Sequence, residues 1–272
     1  MTRVAGSVAV VTGGASGIGR GIAEQLIARG ARVAIADIEA GAVEAAAAEI
    51  GAHPLVADVS RLEDVQGVAD QVLERFGRVD IVVNNAGVGP FARIADLTMD
   101  DWRWMIDVNL FGVIHGVHVF LPLLEANPDG GHLVNTSSMS ALTPFETLGS
   151  YAVTKFGVHA LTEVLQAELA SAGSQVHATL LVPGSVRTGI AQSTRHRPAD
   201  APGSLRDAQI GLGFSSSSRW LDPADVGRIT VRAIENDDPY AITHPDRWPA
   251  VAARFAGIQA AFEKYPPIDG EA

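Results

Sequence analysis

The chain has 272 residues, 47% of them apolar, with 20 basic against 31 acidic side chains, a net charge of −11, and no cysteine. That length allows one large domain or two small ones with ample core. Without cysteine there is no disulfide framework, thiolate nucleophile or Cys-based metal site, and the acidic balance argues against a nucleic-acid or anionic-lipid surface.

In chain order, residues 7–12 (SVAVVT) read as a buried strand. They follow a single Arg and show no apolar segment ending in a cleavage site, so no secretory leader is expected. A helix is predicted over 17–29, a strand over 32–36, an Ala-rich helix over 40–50 and a short strand over 53–57. Helix 62–76, strand 79–84 (VDIVVN) and one long helix over 100–123 come next. Residues 110–124 are the most apolar later stretch; His115, His118 and Pro122 interrupt it, and it is expected to be too short to span a bilayer. Strand 132–136 (HLVNT), helix 150–172 and strand 175–182 (QVHATLLV) complete the alternation.

Residues 188–220 break this rhythm with Pro198, Pro202, several glycines and the run Ser215 to Ser218. An excursion of that length is expected to be a lid over a substrate. Asp222 and Pro223 then start a helix as N-cap and first residue, 240–243 could be a last strand, and 247–265 form a C-terminal helix. Apolar strands alternating with amphipathic helices predict an α/β fold, a single doubly wound parallel sheet with helices on both faces. One domain would span 1–272, and ligands would sit at the carboxyl ends of the strands.

Thr12-Gly13-Gly14-Ala15-Ser16-Gly17-Ile18-Gly19 lies between the first strand and the first helix. Glycines there let the backbone turn sharply and present N–H groups and a helix N-terminus to a pyrophosphate. Asp37 ends the second strand, 18 positions past Gly19, about where an acid bonds the adenosine ribose hydroxyls. A carboxylate there repels a 2′-phosphate, and no Arg or Lys stands at Ser16 or Ile38, so NAD is expected rather than NADP.

Only two lysines and three tyrosines occur, yet Tyr151 stands four before Lys155 on a predicted helix, where such residues share a face. A phenol is a poor base at neutral pH unless a fixed positive charge stabilises the phenolate. An ammonium and an oxidised nicotinamide can both do so, and the tyrosine can then exchange a proton with an alcohol or ketone oxygen. Ser138, at the end of the 132–136 strand, is placed to donate to the same oxygen.

The glycine string, Asn84-Asn85-Ala86-Gly87, Asn109, Ser138, Tyr151-x-x-x-Lys155 and Pro183-Gly184 appear together and in order. This set resembles the short-chain dehydrogenase/reductase family, over residues 4 to about 240. The resemblance implies a Rossmann oxidoreductase in which Tyr151 is the general acid/base, Lys155 binds the nicotinamide ribose and lowers the Tyr151 pKa, and Ser138 polarises the substrate oxygen. It further implies that Asn109 holds a proton-relay water, that Asp58 and Val59 flank the adenine, and that Asn85, Ala86 and Gly87 line the adenosine side. Gly13, Ser16, Gly17, Ile18, Gly19, Asp37 and Ile38 would hold the rest of the adenosine half, and Pro183, Gly184, Val186 and Thr188 the nicotinamide. Arg187 departs from the family, which usually carries an acid there. Packing of the 100–123 and Tyr151 helices in the family implies a homo-oligomer, a dimer or homotetramer.

Other signals are weaker. His115 and His118 are three apart on a helix, but without a third ligand they read as packing, and no metal is expected. Ser215 to Ser218 read as lid, Trp102 and Trp104 as core or subunit contact, and no G-x-S-x-G elbow occurs. The leading expectation is an NAD-dependent dehydrogenase for a secondary alcohol or ketone, medium-sized and fairly apolar, since the excursion carries Ile190, Leu205, Ile210, Leu212, Phe214 and Trp220. The stretch from Gly189 to Ser193, with Arg195, Pro198 and the C-terminal helix, is similar to bacterial Cα-dehydrogenases of lignin-derived aryl ethers. The alternatives are an NADP-dependent ketoreductase, such as an oxoacyl-carrier-protein reductase, and a non-catalytic nucleotide-sensing regulator. A cytoplasmic location, with no membrane or nucleic-acid partner, completes the expectation.

Overall fold

Seven strands form one parallel sheet in a computed structural model that describes residues 1–199, 201–207 and 219–265. In chain order these are β1 (Val8–Thr12), β2 (Arg32–Asp37), β3 (His53–Val56), β4 (Ile81–Asn84), β5 (Gly131–Thr136), β6 (Val176–Val182) and β7 (Tyr240–Ile242). Their order across the sheet is β3-β2-β1-β4-β5-β6-β7, so the winding reverses between β1 and β4. A crevice opens at the carboxyl ends of the strands at such a reversal. The strand cores are Val, Ile, Leu and Ala because both faces are covered, and β1 and β4 are buried throughout.

The helices are α1 (Gly17–Ala28), α2 (Ala40–Ile50), α3 (Leu62–Phe76), α4 (Met99–Ile106), α5 (Gly112–Glu125), α6 (Gly149–Ala172), α7 (Pro223–Asn236) and α8 (Trp248–Lys264). One apolar layer joins Ile22 and Leu26 of α1, Val43 of α2 and Val231 and Ile234 of α7 to Val11, Ile35 and Val83. The other joins Val68 and Val72 of α3, Phe120 and Leu124 of α5 and Leu165 of α6 to Val10, Val82 and Leu133. Asp222 and Pro223 start α7 as N-cap and first residue, as sequence suggests, and the structure adds a reciprocal capping box to Asp225.

The long helix expected over 100–123 is not one helix. A π-helical turn, Asp107–Phe111, separates α4 from α5. The cause lies at its centre, where the fully buried Asn109 reaches sideways to the loop after β4, and the extra residue of a π turn re-aims that side chain. The helical run Met99–Glu125 is also longer than the apolar stretch noted in sequence, and by length and composition it could cross a membrane. Here it packs on the sheet, with Phe120 and Leu124 fully buried. Within 188–220 the described part holds the short 3-10 segment Ile190–His196 and an antiparallel bridge between Phe91 and Arg206. Ile210, Leu212, Phe214 and the Ser215 to Ser218 run lie outside the described residues.

Candidate active site

The carboxyl ends of the central strands open into a cavity of about 1380 Å³. Gly13, Ser16, Gly17, Ile18, Asp37, Ile38, Asp58, Val59, Asn85, Ala86, Gly87, Pro183, Gly184, Val186 and Thr188 all line it, as do Ser138, Tyr151 and Lys155. Gly19 and Asn109 stand behind its wall. A side chain on Gly19 would run into the Gly13 carbonyl, so this glycine serves the close packing of the turn.

The turn after β1 is shaped by what it must approach. Gly13 has φ +64°, and a Cβ there would lie 2.8 Å from Ala86 Cα; Gly17 has φ +52°, with Thr188 Cγ2 at 3.1 Å from such a Cβ. Only glycine tolerates both the dihedral and the approach. Thr12 Oγ1 accepts from the N–H groups of Asn85 (3.0 Å) and Ala86 (3.2 Å), and Asn85 Nδ2 donates to Thr12 O at 2.9 Å. These bonds stitch the β4 loop to the glycine turn at the N-terminus of α1, where the helix dipole favours an anion. Asp37 closes the adjacent corner: Oδ2 accepts from Ala15 N–H at 3.1 Å and Oδ1 from Glu39 N–H at 3.3 Å. Asp58 Oδ1 accepts from both Ser60 N–H (2.9 Å) and Ser60 Oγ (2.7 Å), which fixes the rim beyond β3.

At the other end, α6 carries Tyr151 and Lys155 one turn apart, and the Ser137 hydroxyl ties the helix to β5 by donating to Lys155 O at 2.9 Å. Lys155 is buried; its Nζ donates to Thr136 O at 2.9 Å and lies 5.7 Å from the centre of the Tyr151 ring. Burial pulls the Lys155 ammonium down to about 8. Burial also pushes the Tyr151 phenol above its ordinary value, against a Ser138 hydrogen bond that pulls it down. Ser138 is held in place by Ser140 N–H, which donates to its Oγ at 3.1 Å. Thr136 also lines the cavity, and its buried hydroxyl has no partner among the described residues.

The structure brings in residues that the sequence pattern does not single out. Asp101 of α4, fully buried, accepts from Thr98 N–H (2.8 Å), Thr98 Oγ1 (2.9 Å), Ser204 N–H (2.9 Å) and the Arg197 guanidinium. Burial alone would raise its pKa, but Ser204, Arg197 and Thr98 hold it far below the usual carboxylate range. Arg197 also stacks 5.5 Å from the Trp104 ring centre. Trp104 is core, as expected, and a wall of the cavity as well. Ser193 Oγ accepts from Gly89 N–H at 2.9 Å, which seats segment Ile190–His196 beside Tyr151. Apart from the local Thr98 and Asp101 cap, no local sequence pattern marks these contacts, because they join residues about a hundred positions apart. Arg187, where the family has an acid, turns to Asp222 Oδ1 at 2.9 Å. His115 Nδ1 meets the Val59 carbonyl at 2.9 Å, and among the described residues no group of three His, Asp or Glu is placed to hold a metal ion.

The model of the short chain dehydrogenase family matches residues 7–199. The chain is 36% identical over 246 residues to "Probable oxidoreductase EphD" of Mycobacterium tuberculosis; the match covers 88% of this chain but only 41% of that protein's length. It is 32% identical over 273 residues to a "C alpha-dehydrogenase" of Sphingobium sp. strain SYK-6, covering 97% of this chain and 88% of the relative. A crystal structure of a short-chain dehydrogenase/reductase from Burkholderia phymatum in complex with NAD superposes with a TM-score of 0.89, at 34% identity and full coverage of both chains. With the parallel sheet, the glycine turn and the Ser138, Tyr151 and Lys155 cluster, these matches make the chain a member of the short-chain dehydrogenase/reductase family of oxidoreductases.

Proposed function

We propose that the protein is an NAD-dependent dehydrogenase that interconverts a secondary alcohol and its ketone, with Tyr151 as the general acid/base. The observation that carries this reading is the convergence of Ser138, Tyr151 and Lys155 on one end of the cavity whose other end is the glycine turn and Asp37. The residues fit a pyridine dinucleotide. Gly13, Ser16 and Gly17 line the cavity at the N-terminus of α1 with backbone and one small side chain, which leaves room for a pyrophosphate, and the buried Lys155 lines the same cavity beside Tyr151. Asp37, anchored by two backbone N–H groups, favours ribose hydroxyls over a 2′-phosphate, which supports NAD. The relative from Burkholderia phymatum, solved with NAD, supports it too.

When bound, the nicotinamide supplies hydride transfer. The Tyr151 hydroxyl exchanges the proton with the substrate oxygen, and the Ser138 hydroxyl donates to that oxygen as its charge develops. Lys155 keeps a positive charge one helical turn from Tyr151 and would bind the nicotinamide ribose. Val88, Trp104, Met105 and Leu205 pack around the Tyr151 ring and exclude water from the transfer. Phe91, Trp104, Phe145, Leu148 and Ile190 line the same cavity, which favours a medium-sized, fairly apolar, aryl-bearing substrate. The similarity to the Cα-dehydrogenase supports the same class. Exposed apolar side chains on the π turn and α6, namely Phe111, Val153 and Val164, support assembly into dimers or tetramers.

The test is a screen of secondary alcohols and ketones, bulky aryl ones included, followed by absorbance of the reduced cofactor. Turnover of aryl alcohols with NAD is the expected result; a strong NADPH preference refutes the cofactor assignment, and no turnover of any alcohol or ketone refutes the activity.

A further inference from the structure

An arginine and a histidine reach the Asp37 corner of the cavity from a distant part of the chain. Glu39 follows Asp37 by two residues, and its own N–H is bound by Asp37 Oδ1 at 3.3 Å, so the two acids share one corner. Segment Ile190–His196 brings Arg195 and His196 there: Arg195 Nε lies 3.5 Å and His196 Nδ1 3.9 Å from the same oxygen, Glu39 Oε1. All four residues line the cavity. The segment is held from behind at other points, Ser193 Oγ accepting from Gly89 N–H at 2.9 Å and Asp207 Oδ1 accepting from Thr194 N–H at 3.0 Å. Arg195 Nη1 donates to Gln192 O at 2.8 Å, which orients the guanidinium from its own turn. Local sequence around the glycine turn and β2 offers no cation to a 2′-phosphate; the folded chain does.

We infer that Glu39 is a specificity-determining residue for the dinucleotide: it occupies Arg195 and His196 and so withholds them from a 2′-phosphate. This rests on the NAD reading above and adds a second determinant to Asp37. As an exposed ion pair the contact does little for stability, with Arg195 and Glu39 47% and 44% exposed. Its effect is on the charge presented to the ligand. With Glu39 neutralised, a guanidinium is left at a corner where a 2′-phosphate carries nearly two negative charges, and electrostatics at contact distance then change affinity on the order of tenfold. Discrimination would thus depend on a contact between a β2-end acid and a segment about 150 residues later in the chain.

The test is the ratio of NADP to NAD dissociation constants, titrated by protein fluorescence in the wild type, Glu39→Gln, Arg195→Ala and the double variant, each checked for native circular dichroism. Glu39→Gln is expected to shift the ratio about tenfold towards NADP. The double variant should return it to within about threefold of wild type, and Arg195→Ala alone should leave it there. The shift should shrink at high salt. A ratio that Glu39→Gln does not move, or a shift that survives Arg195→Ala, overturns the inference; in the latter case Glu39 repels the phosphate directly and Arg195 has no part. A wild type that prefers NAD but shows either result leaves the proposed function standing. A wild type that binds neither dinucleotide overturns both.

Discussion

Asn109 closes both ends of its side-chain amide on the backbone of Val88: Oδ1 accepts from Val88 N–H at 2.8 Å, and Nδ2 donates to Val88 O at 2.8 Å. Nδ2 also reaches Thr154 Oγ1 at 3.3 Å, so the residue joins the π turn, the β4 loop and α6. A Cβ on Gly87 would sit 3.1 Å from Asn109 Oδ1 and 3.5 Å from Lys155 Nζ, so Gly87 leaves room for both the clamp and the ammonium. The family resemblance gives Asn109 a proton-relay water; in addition, its side chain clamps Val88. Replacing it with Leu strands two buried backbone groups, at about 1–3 kcal/mol each. Asn109→Leu is therefore expected to lose about 2–6 kcal/mol in urea unfolding and to lower kcat. A variant as stable as wild type contradicts the clamp.

Asp101 is the corresponding anchor for Arg197, Ser204 and Leu205. Its carboxyl lies far below the ordinary range in the fold, while in the unfolded chain it titrates near the usual value of about 3.9. A depressed folded pKa stabilises fully above the unfolded value, and that stability is lost as pH falls towards the folded one. Asp101→Asn also leaves the mostly buried Arg197 without its counter-charge. The expected cost is about 2–4 kcal/mol at pH 7, shrinking below pH 4, with a raised KM for the alcohol as Arg197, Ser204 and Leu205 loosen. Chemical unfolding of both proteins at pH 7 and pH 3 checks this; an equal difference at both values contradicts it.

Lys155 has the opposite sign. Its ammonium titrates at about 8 in the fold because it is desolvated, against about 10.4 when unfolded. Between those values the unfolded chain holds the extra proton, so stability of the dinucleotide-free protein rises with pH from about 8 to 10. Above 10 the raised Tyr151 reverses the trend, because the unfolded phenol ionises first. Lys155→Met should remove the rise and stabilise the free protein by about 1–3 kcal/mol at pH 7. A stability that is flat from pH 8 to 10 in the wild type contradicts the burial of this charge.

Gly13 tests the turn. An alanine there meets both a positive φ and Ala86 Cα at 2.8 Å, on backbone that cannot retreat cheaply. Gly13→Ala should weaken NAD binding by more than about tenfold and cost roughly 1–2 kcal/mol of stability. Calorimetric titration with NAD gives the first number and thermal unfolding the second. Undiminished affinity would place the pyrophosphate elsewhere.

How much of this the sequence discloses depends on how local the physics is. The strands are legible because buried parallel strands need unbroken runs such as Val8 to Val11. Helix α2 is legible to the residue because an Ala-rich run ends at Gly51 in a left-handed cap. The glycine turn and the Tyr151 and Lys155 pair are legible for the same reason, each set by spacing within one element. The π turn at Asn109 is not, since its cause is a bond to Val88, 21 positions away. The Asp101 anchor and the Glu39 and Arg195 contact are silent too: an acid on a helix looks the same whether it faces water or a loop a hundred residues on.

The central claim is proton transfer by Tyr151, and the measurement that tests it most directly is NAD-dependent oxidation of a secondary alcohol by wild type and Tyr151→Phe, with NAD affinity titrated in parallel. Removing one hydroxyl should lower kcat by about 10²–10⁴-fold while the dissociation constant for NAD stays within about threefold. Turnover of Tyr151→Phe at the wild-type rate would contradict it.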